Sequence, residues 1–180
     1  CVGVCPNFAL QTWKMEPFAV QLPRLSVGPD GAETLSAKPW SVEQGFQIAV
    51  MTDFCNECGN CTTFCPTAGD PYRDKLRLYL DRAEFSAQQD NAFMVCRTGD
   101  TWTMESRWQG ETHRLELKTN LKLKTSLEYR GPMFSAHLER DTFKPIQVDV
   151  TERARMGDEL SLEPAATMFV LLDGLKHSLP

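Results

Sequence analysis

Cys55-Asn-Glu-Cys58-Gly-Asn-Cys61-Thr-Thr-Phe-Cys65-Pro66 places four of the seven cysteines of a 180-residue chain inside eleven residues. The spacing is C-x2-C-x2-C-x3-C-P, a run that ligates [4Fe–4S] clusters. Steps of three residues set successive sulfurs on one side of a tightly coiled loop, so three thiolates can each reach a different iron of one cube. Cys65 is displaced onto the expected start of a helix and points to a sister cluster. Gly59, Asn60, Thr62 and Thr63 are small enough for backbone N–H groups to approach the sulfurs. Pro66 ends the ligand loop by fixing its own φ near −65°.

Working outward, Cys1-Val-Gly-Val-Cys5-Pro6 repeats the second half of the motif, C-x3-C-P. One [4Fe–4S] cluster would then take Cys55, Cys58, Cys61 and Cys5. A second would take Cys65, Cys1 and two thiolates that this chain lacks, since each cube needs four. The expectation is a piece of a longer protein with a C-x2-C-x2 stretch before Cys1. Structural zinc draws on two separated cysteine pairs, so the 3+1 run favours iron over zinc. Cys96, in Phe93-Met94-Val95-Cys96, reads as a small buried hydrophobe.

Short intervals between Cys55 and Cys65 hinder disulfide pairing among them. With no export signal at Cys1 and Val2, the expected compartment is a reducing cytoplasm. Hydrophobic residues are 42% of the chain and charged residues 24%, the profile of a globular protein. The net charge of −5 and the absence of a basic stripe argue against a nucleic-acid partner. Lys118, Lys122 and Lys124 read as the wet face of a strand. No apolar run reaches the roughly 18 residues of a membrane span. GxGxxG, P-loop, HExxH and GxSxG motifs are absent. His113, His137 and His177 stand alone and read as surface or packing residues, so no catalytic acid, base or nucleophile is assigned.

The expected fold class is α+β: a ferredoxin-like 4Fe-4S domain over 1–75, then a small β-rich domain over 76–180 with a C-terminal helix. Pro23, Pro29, Gly31, Pro39 and Gly45 mark 22–45 as an irregular insertion in the first domain, with Trp40 covering the core. Phe46 to Met51 reads as a strand delivering the chain to the cysteines. Leu76 to Leu80 alternates apolar and charged positions, a strand signal, and Asp81 to Gln89 as a short helix. Ala92 to Arg97, Thr101 to Trp108 and Glu111 to Lys118 read as strands between turns at Gly99 and Gly110. Leu121, Leu123 and Leu127 alternate with polar residues, as do Ile146, Val148 and Val150. Pro164 opens a helix to about Lys176, with Met168, Phe169, Leu171, Leu172 and Leu175 on its buried side.

Residues 46–75, with Cys-Asn-Glu-Cys-Gly-Asn-Cys followed by Pro71-Tyr72-Arg73-Asp74-Lys75, resemble the C-terminal region of a bacterial family. Residues 1–10 resemble the end of that family's first cluster motif. Its members are the large iron–sulfur flavoprotein subunits predicted to belong to a molybdenum-dependent selenate reductase. The resemblance implies upstream domains like the glutamate-synthase small subunit, binding FAD and NAD(P)H, and a molybdenum-containing or other redox partner subunit. The expected function is an iron–sulfur electron-transfer module of such an oxidoreductase. The alternative is a structural iron–sulfur domain whose β-rich tail docks a partner subunit.

Overall fold

In the computed structural model, residues 2–118 and 126–176 are described. Strand β1 (Leu10–Lys14) leads into a long hairpin of β2 (Phe18–Gly28) and β3 (Gly31–Val42), and β4 (Phe46–Met51) follows. The cysteine loop carries two one-turn helices, α1 (Asn60–Thr63) and α2 (Pro71–Asp74). Next come β5 (Leu76–Leu78) and α3 (Arg82–Ser86), whose N-cap Asp81 accepts from the Glu84 N–H. Strands β6 (Ala92–Thr98), β7 (Thr101–Trp108), β8 (Glu111–Lys118), β9 (Ser126–Arg130), β10 (Phe134–Glu139) and β11 (Pro145–Val150) form an antiparallel meander. The described part ends in β12 (Glu159–Leu160) and α4 (Glu163–Lys176).

One nine-stranded sheet takes the order β1-β4-β5-β6-β7-β8-β9-β10-β11, and a three-stranded sheet the order β12-β2-β3. β5 pairs parallel with both β4 and β6, and the other pairings are antiparallel. The β7–β8 hairpin turns on Gln109 and Gly110, both at positive φ (51° and 77°). Two such residues make the turn whose twist matches the flanking strands.

Helix α4 occupies the stretch where the sequence placed a helix, but it is buried on every side. Ala165, Ala166, Val170 and Gly174 are buried as well as the expected apolar face. A helix this largely apolar belongs inside a core, and α4 packs against β1, β7 and β8, with Glu163, Asp173 and Lys176 kept at its partly covered positions. Phe18, Phe143 and Phe169 meet edge to face near its N-terminal half, with centroids 5.3–5.9 Å apart. Trp40 closes over this cluster, half-buried. No helix among the described residues is long and apolar enough to cross a membrane.

The expected α+β fold with a ferredoxin-like domain is overturned. The chain is predominantly β, with α4 the one long helix among the described residues, and no compact ferredoxin-like unit stands apart. β1 and β4 are strands of the large sheet, which continues past residue 75 through Ala49↔Leu76 pairing. The reason lies in β4, which is apolar on both faces. Ala49 enters the α4 core, while Val50 enters a separate cluster on the other side. Residues 22–45, read as irregular, form most of the β2–β3 hairpin. Pro39 is tolerated because β3 is an outer strand, and Pro23 lies outside the Leu25–Ser26 stretch paired with β12. The register shifts between Arg24 and Leu25, where Leu35 of β3 is the extra, exposed residue, and Leu22 and Leu25 of β2 are both buried in the core.

Cys96 is exposed rather than buried. Ala92, Phe93 and Met94 hold the covered end of β6, while Cys96, Arg97 and Thr98 run out toward the hairpin tip. Strand β10 lacks a counterpart among the sequence expectations. Leu121, Leu123, Lys122 and Lys124 lie outside the described residues, whereas Leu127 is fully buried on β9.

Candidate functional site

Pairing of β1 with β4 sets Leu10 opposite Val50, and Met51 N–H donates to the Ala9 carbonyl at 2.8 Å. Residues 5–10 are thereby held beside the start of the cysteine loop. A 3-10 turn at Thr52–Phe54 leads into Cys55, whose N–H returns to the Thr52 carbonyl at 3.0 Å. The Thr52 hydroxyl donates to the Leu78 carbonyl (2.9 Å), and the Asp53 carboxylate accepts from Leu80 N–H (3.1 Å). Gly59, at φ 78°, then reverses the chain into α1, which carries Cys61 inward. A side chain at that φ is strained, so glycine suits the position.

Cys5, Cys55, Cys58 and Cys61 line one small cavity, together with Leu10, Gly59, Asn60 and Tyr72. These are the four residues that the spacing assigns to one cluster. Cys61 is buried, Cys5 and Cys55 are half-buried, and Cys58 is exposed. Val2, Val4, Ile48 and Val50 back the cavity with apolar surface. All four donors are free thiols, the chemistry an iron–sulfur centre requires. The void measures about 20 Å³, room for little more than one water. Among the described residues no three His, Cys, Asp or Glu converge closely enough to hold a metal ion. Four thiols are the donor set of an iron–sulfur group, but in this structure the sulfurs are not gathered closely enough to hold one.

Cys65 lies outside this cavity, as its offset in the motif implies. Its sulfur meets the Thr67 hydroxyl at 3.3 Å. That contact, then the Gly69 and Thr67 backbone N–H groups, hold the thiol below its usual range, with burial opposing and Lys75 assisting. At Cys5 burial is the largest influence and pushes the thiol up. Backbone N–H groups of Leu10, Ala9, Asn7 and Phe8 together outweigh it, so the net direction is down. Of these, Ala9 N–H lies 3.3 Å from the sulfur.

The two Cys-Pro turns match. Phe8 N–H donates to the Cys5 carbonyl and Ala68 N–H to the Cys65 carbonyl, each at 3.3 Å. Both third residues after the cysteine sit at positive φ, Phe8 at 53° and Ala68 at 54°. The same uncommon conformation thus recurs at the matching position of both turns, and Glu57 in the ligand loop shares it. Beyond Cys65, the Thr62 hydroxyl donates to the Asp70 carboxylate (2.9 Å), and Asn91 donates to the Arg73 and Lys75 carbonyls, anchoring the loop to the edge of β6. Cys1 lies outside the described residues.

The isolated histidines resolve differently. His137 is exposed on β10 and His177 lies outside the described residues. His113 is buried, and its Nδ1 lies 2.7 Å from the Tyr129 hydroxyl. Sequence spacing gave no sign of this pair, because its partners are sixteen residues apart and meet only through the β8–β9 register.

No family model matches the chain. Two curated proteins do, each named "Putative oxidoreductase YgfK", from Escherichia coli O157:H7 and Escherichia coli strain K12. Both are 29% identical over 127 residues, 67% of this chain and 10% of the relative. The chain thus spans about a tenth of the length of the curated relatives it matches. No solved structure matches. The likeness is to an oxidoreductase, and it does not single out a selenate reductase subunit.

Proposed function

We propose that this chain is an iron–sulfur electron-transfer portion of a larger oxidoreductase. The observation that carries the reading is one cavity lined by Cys5, Cys55, Cys58 and Cys61, with donors drawn from two segments some fifty residues apart in the sequence. The likeness to an oxidoreductase over 127 residues supports the same class. A [4Fe–4S] group bound there would supply one-electron chemistry.

The chain's own part is ligation and environment. The four thiolates would hold the group, and Leu10, Val50 and Tyr72 would limit water around it. The Ala9 N–H on the Cys5 sulfur stabilises the thiolate form, and hydrogen bonds of this kind raise a centre's reduction potential. Cys65 would serve a second centre with Cys1 and two thiolates from elsewhere. In the whole protein, FAD- and NAD(P)H-binding domains would be the donors and a molybdenum-containing or other redox subunit the acceptor. Selenate is one substrate class consistent with that arrangement. Free thiols and such a centre suit a reducing cytoplasm.

The test is anaerobic purification followed by iron and sulfide analysis and spectroscopy of the dithionite-reduced protein. About four iron and four sulfide per filled site are expected, with a low-potential paramagnetic signal. Cys61→Ser should lower the iron content and abolish the signal. Zinc without acid-labile sulfide, or an unchanged spectrum in the variant, would overturn the assignment.

A further inference from the structure

Between β8–β10 and the segment that enters α4 lies a second cavity, of about 270 Å³, lined by no cysteine. Its wall is a ladder of rings. Trp108 and His113 have centroids 6.3 Å apart, His113 and Tyr129 stack at 6.0 Å, and Tyr129 and Phe134 meet at 5.3 Å. His113 is 8% exposed and Tyr129 1%. Two polar rings at core positions cost stability unless their polar atoms are satisfied, and the 2.7 Å contact satisfies one atom of each.

The direction of that hydrogen bond follows from what surrounds it. The Tyr129 hydroxyl sits over Gly131, where a Cβ would fall 2.6 Å from its oxygen. Among the described residues, His113 Nδ1 is the hydrogen-bond partner of this hydroxyl. Burial pushes the phenol up and the imidazole down, so both are neutral near pH 7. Were Nδ1 protonated, the buried phenol proton would go unpaired. The hydroxyl therefore donates to Nδ1, and the ring proton resides on Nε2. Nε2 has no protein partner among the described residues and, unlike Trp13 Nε1 or Tyr79 Oη, is not sealed from solvent space. It presents an N–H donor to the cavity.

Charge at the rim narrows the ligand. Glu111 is paired with Arg153 at 2.5 Å and Glu159 with Arg24 at 3.2 Å. Among the described residues no cation lines the cavity to receive an anion, and a cationic ligand would have to compete with two guanidinium groups already in place. We propose that this cavity binds a neutral, planar aromatic carbonyl compound, stacked on the exposed Trp108 ring with its oxygen accepting from His113 Nε2–H. Tyr129 is a positioning residue that fixes the tautomer. The site shares no residue with the cysteine cavity, so its fate is independent of the iron reading.

The probes are 2-acetylnaphthalene and 2-ethylnaphthalene, a ketone and a hydrocarbon of similar shape. Each is titrated into the protein and followed at the Trp108 indole and His113 ring ¹⁵N signals. The free protein should show the Nε2–H tautomer at His113. The ketone-to-hydrocarbon affinity ratio should fall about two- to tenfold in His113→Phe, the worth of one hydrogen bond. Trp108→Ala, at the half-exposed rim, should weaken both ligands alike. An Nδ1–H tautomer, an unchanged ratio in His113→Phe, affinities untouched by Trp108→Ala, or no response at either signal up to the solubility limit would each overturn the proposal.

Discussion

The α4 core and the cysteine corner share the same two strands, yet they are held together in different ways. From β1, Trp13 goes to the core and Leu10 to the corner; from β4, Ala49 goes to the core and Val50 to the corner. On the core side a largely apolar helix meets residues of two sheets. On the corner side the buried cluster among the described residues is Leu10, Val50 and Cys61, and the helices are single turns. Burial of a few side chains, at about 1.5–3 kcal/mol each, does not outweigh the cost of ordering the loop at about 1–2 kcal/mol per residue. Hydrogen bonds and thiolate ligation must make up the difference on that side. The β1–β4 ribbon is thus a partition between a region that folds by packing and one whose order depends on what it binds.

The largest effect that would break this comparison comes from the core. Leu172 is fully buried at the centre of α4, and Leu172→Ala should cost about 2–5 kcal/mol in urea unfolding. Iron bound per folded chain should stay the same. If that ratio falls with stability, the two sides are one cooperative unit and the partition fails.

A smaller effect sharpens the boundary itself. A Cβ at Gly174 would lie 2.9 Å from both Met15 Cγ and Trp13 Nε1. Those two residues belong to the core side of the β1 segment, so Gly174→Ala presses α4 directly against the partition. The expected cost is about 1–3 kcal/mol, read as a lower thermal midpoint. Amide exchange should rise in β1 before it rises in β9 or β10, because the strain enters at β1. Uniform acceleration across the sheet would show that the strain is not local.

How much of this was legible in the sequence differs between the two regions for a physical reason. Ligand spacing is local: Cys55, Cys58 and Cys61 fall within one loop, so their grouping could be read without knowing the fold. Cys5 joined them through a motif half, and the structure does bring it to the same cavity. The strands from Phe46 to Met51, Thr101 to Trp108 and Glu111 to Lys118 were legible because an apolar run and the turn residues at Gly99 and Gly110 are also local signals. Sheet partners are not. That β4 would take β1 on one side and β5 on the other depends on two apolar faces finding cover far along the chain. For the same reason Pro23 and Pro39 misled: a proline's cost depends on whether its missing N–H faces a neighbour, and strand order alone decides that. The His113–Tyr129 pair was invisible because it exists only through register.

The smallest expected effect tests that pair, on the side of the molecule remote from the cysteines. Burial lowers the His113 pKa from 6.5, with Glu111 on its own strand pulling weakly the other way while tied to Arg153. Tyr129 faces it from β9 as a neutral phenol, and Glu159 from β12 is held by Arg24. In the unfolded chain the imidazole takes up a proton near pH 6.5, and in the folded chain it resists until lower pH. Below about pH 6.5 the unfolded state therefore binds more protons, and stability falls as pH falls. The slope from one such group cannot exceed about 1.4 kcal/mol per pH unit, and it flattens below the folded pKa. The lowered carboxylates Glu111, Glu128 and Glu159 lose their contributions only as pH falls from about 4.5 downward, so they leave this window clear. Urea unfolding between pH 7.5 and 5.5 should show the slope in the parent protein and a flatter line in His113→Gln, which cannot titrate. Parallel lines would mean that His113 is charged as readily in the fold as out of it, and a protonated ring would have no use for the Tyr129 hydroxyl as a donor.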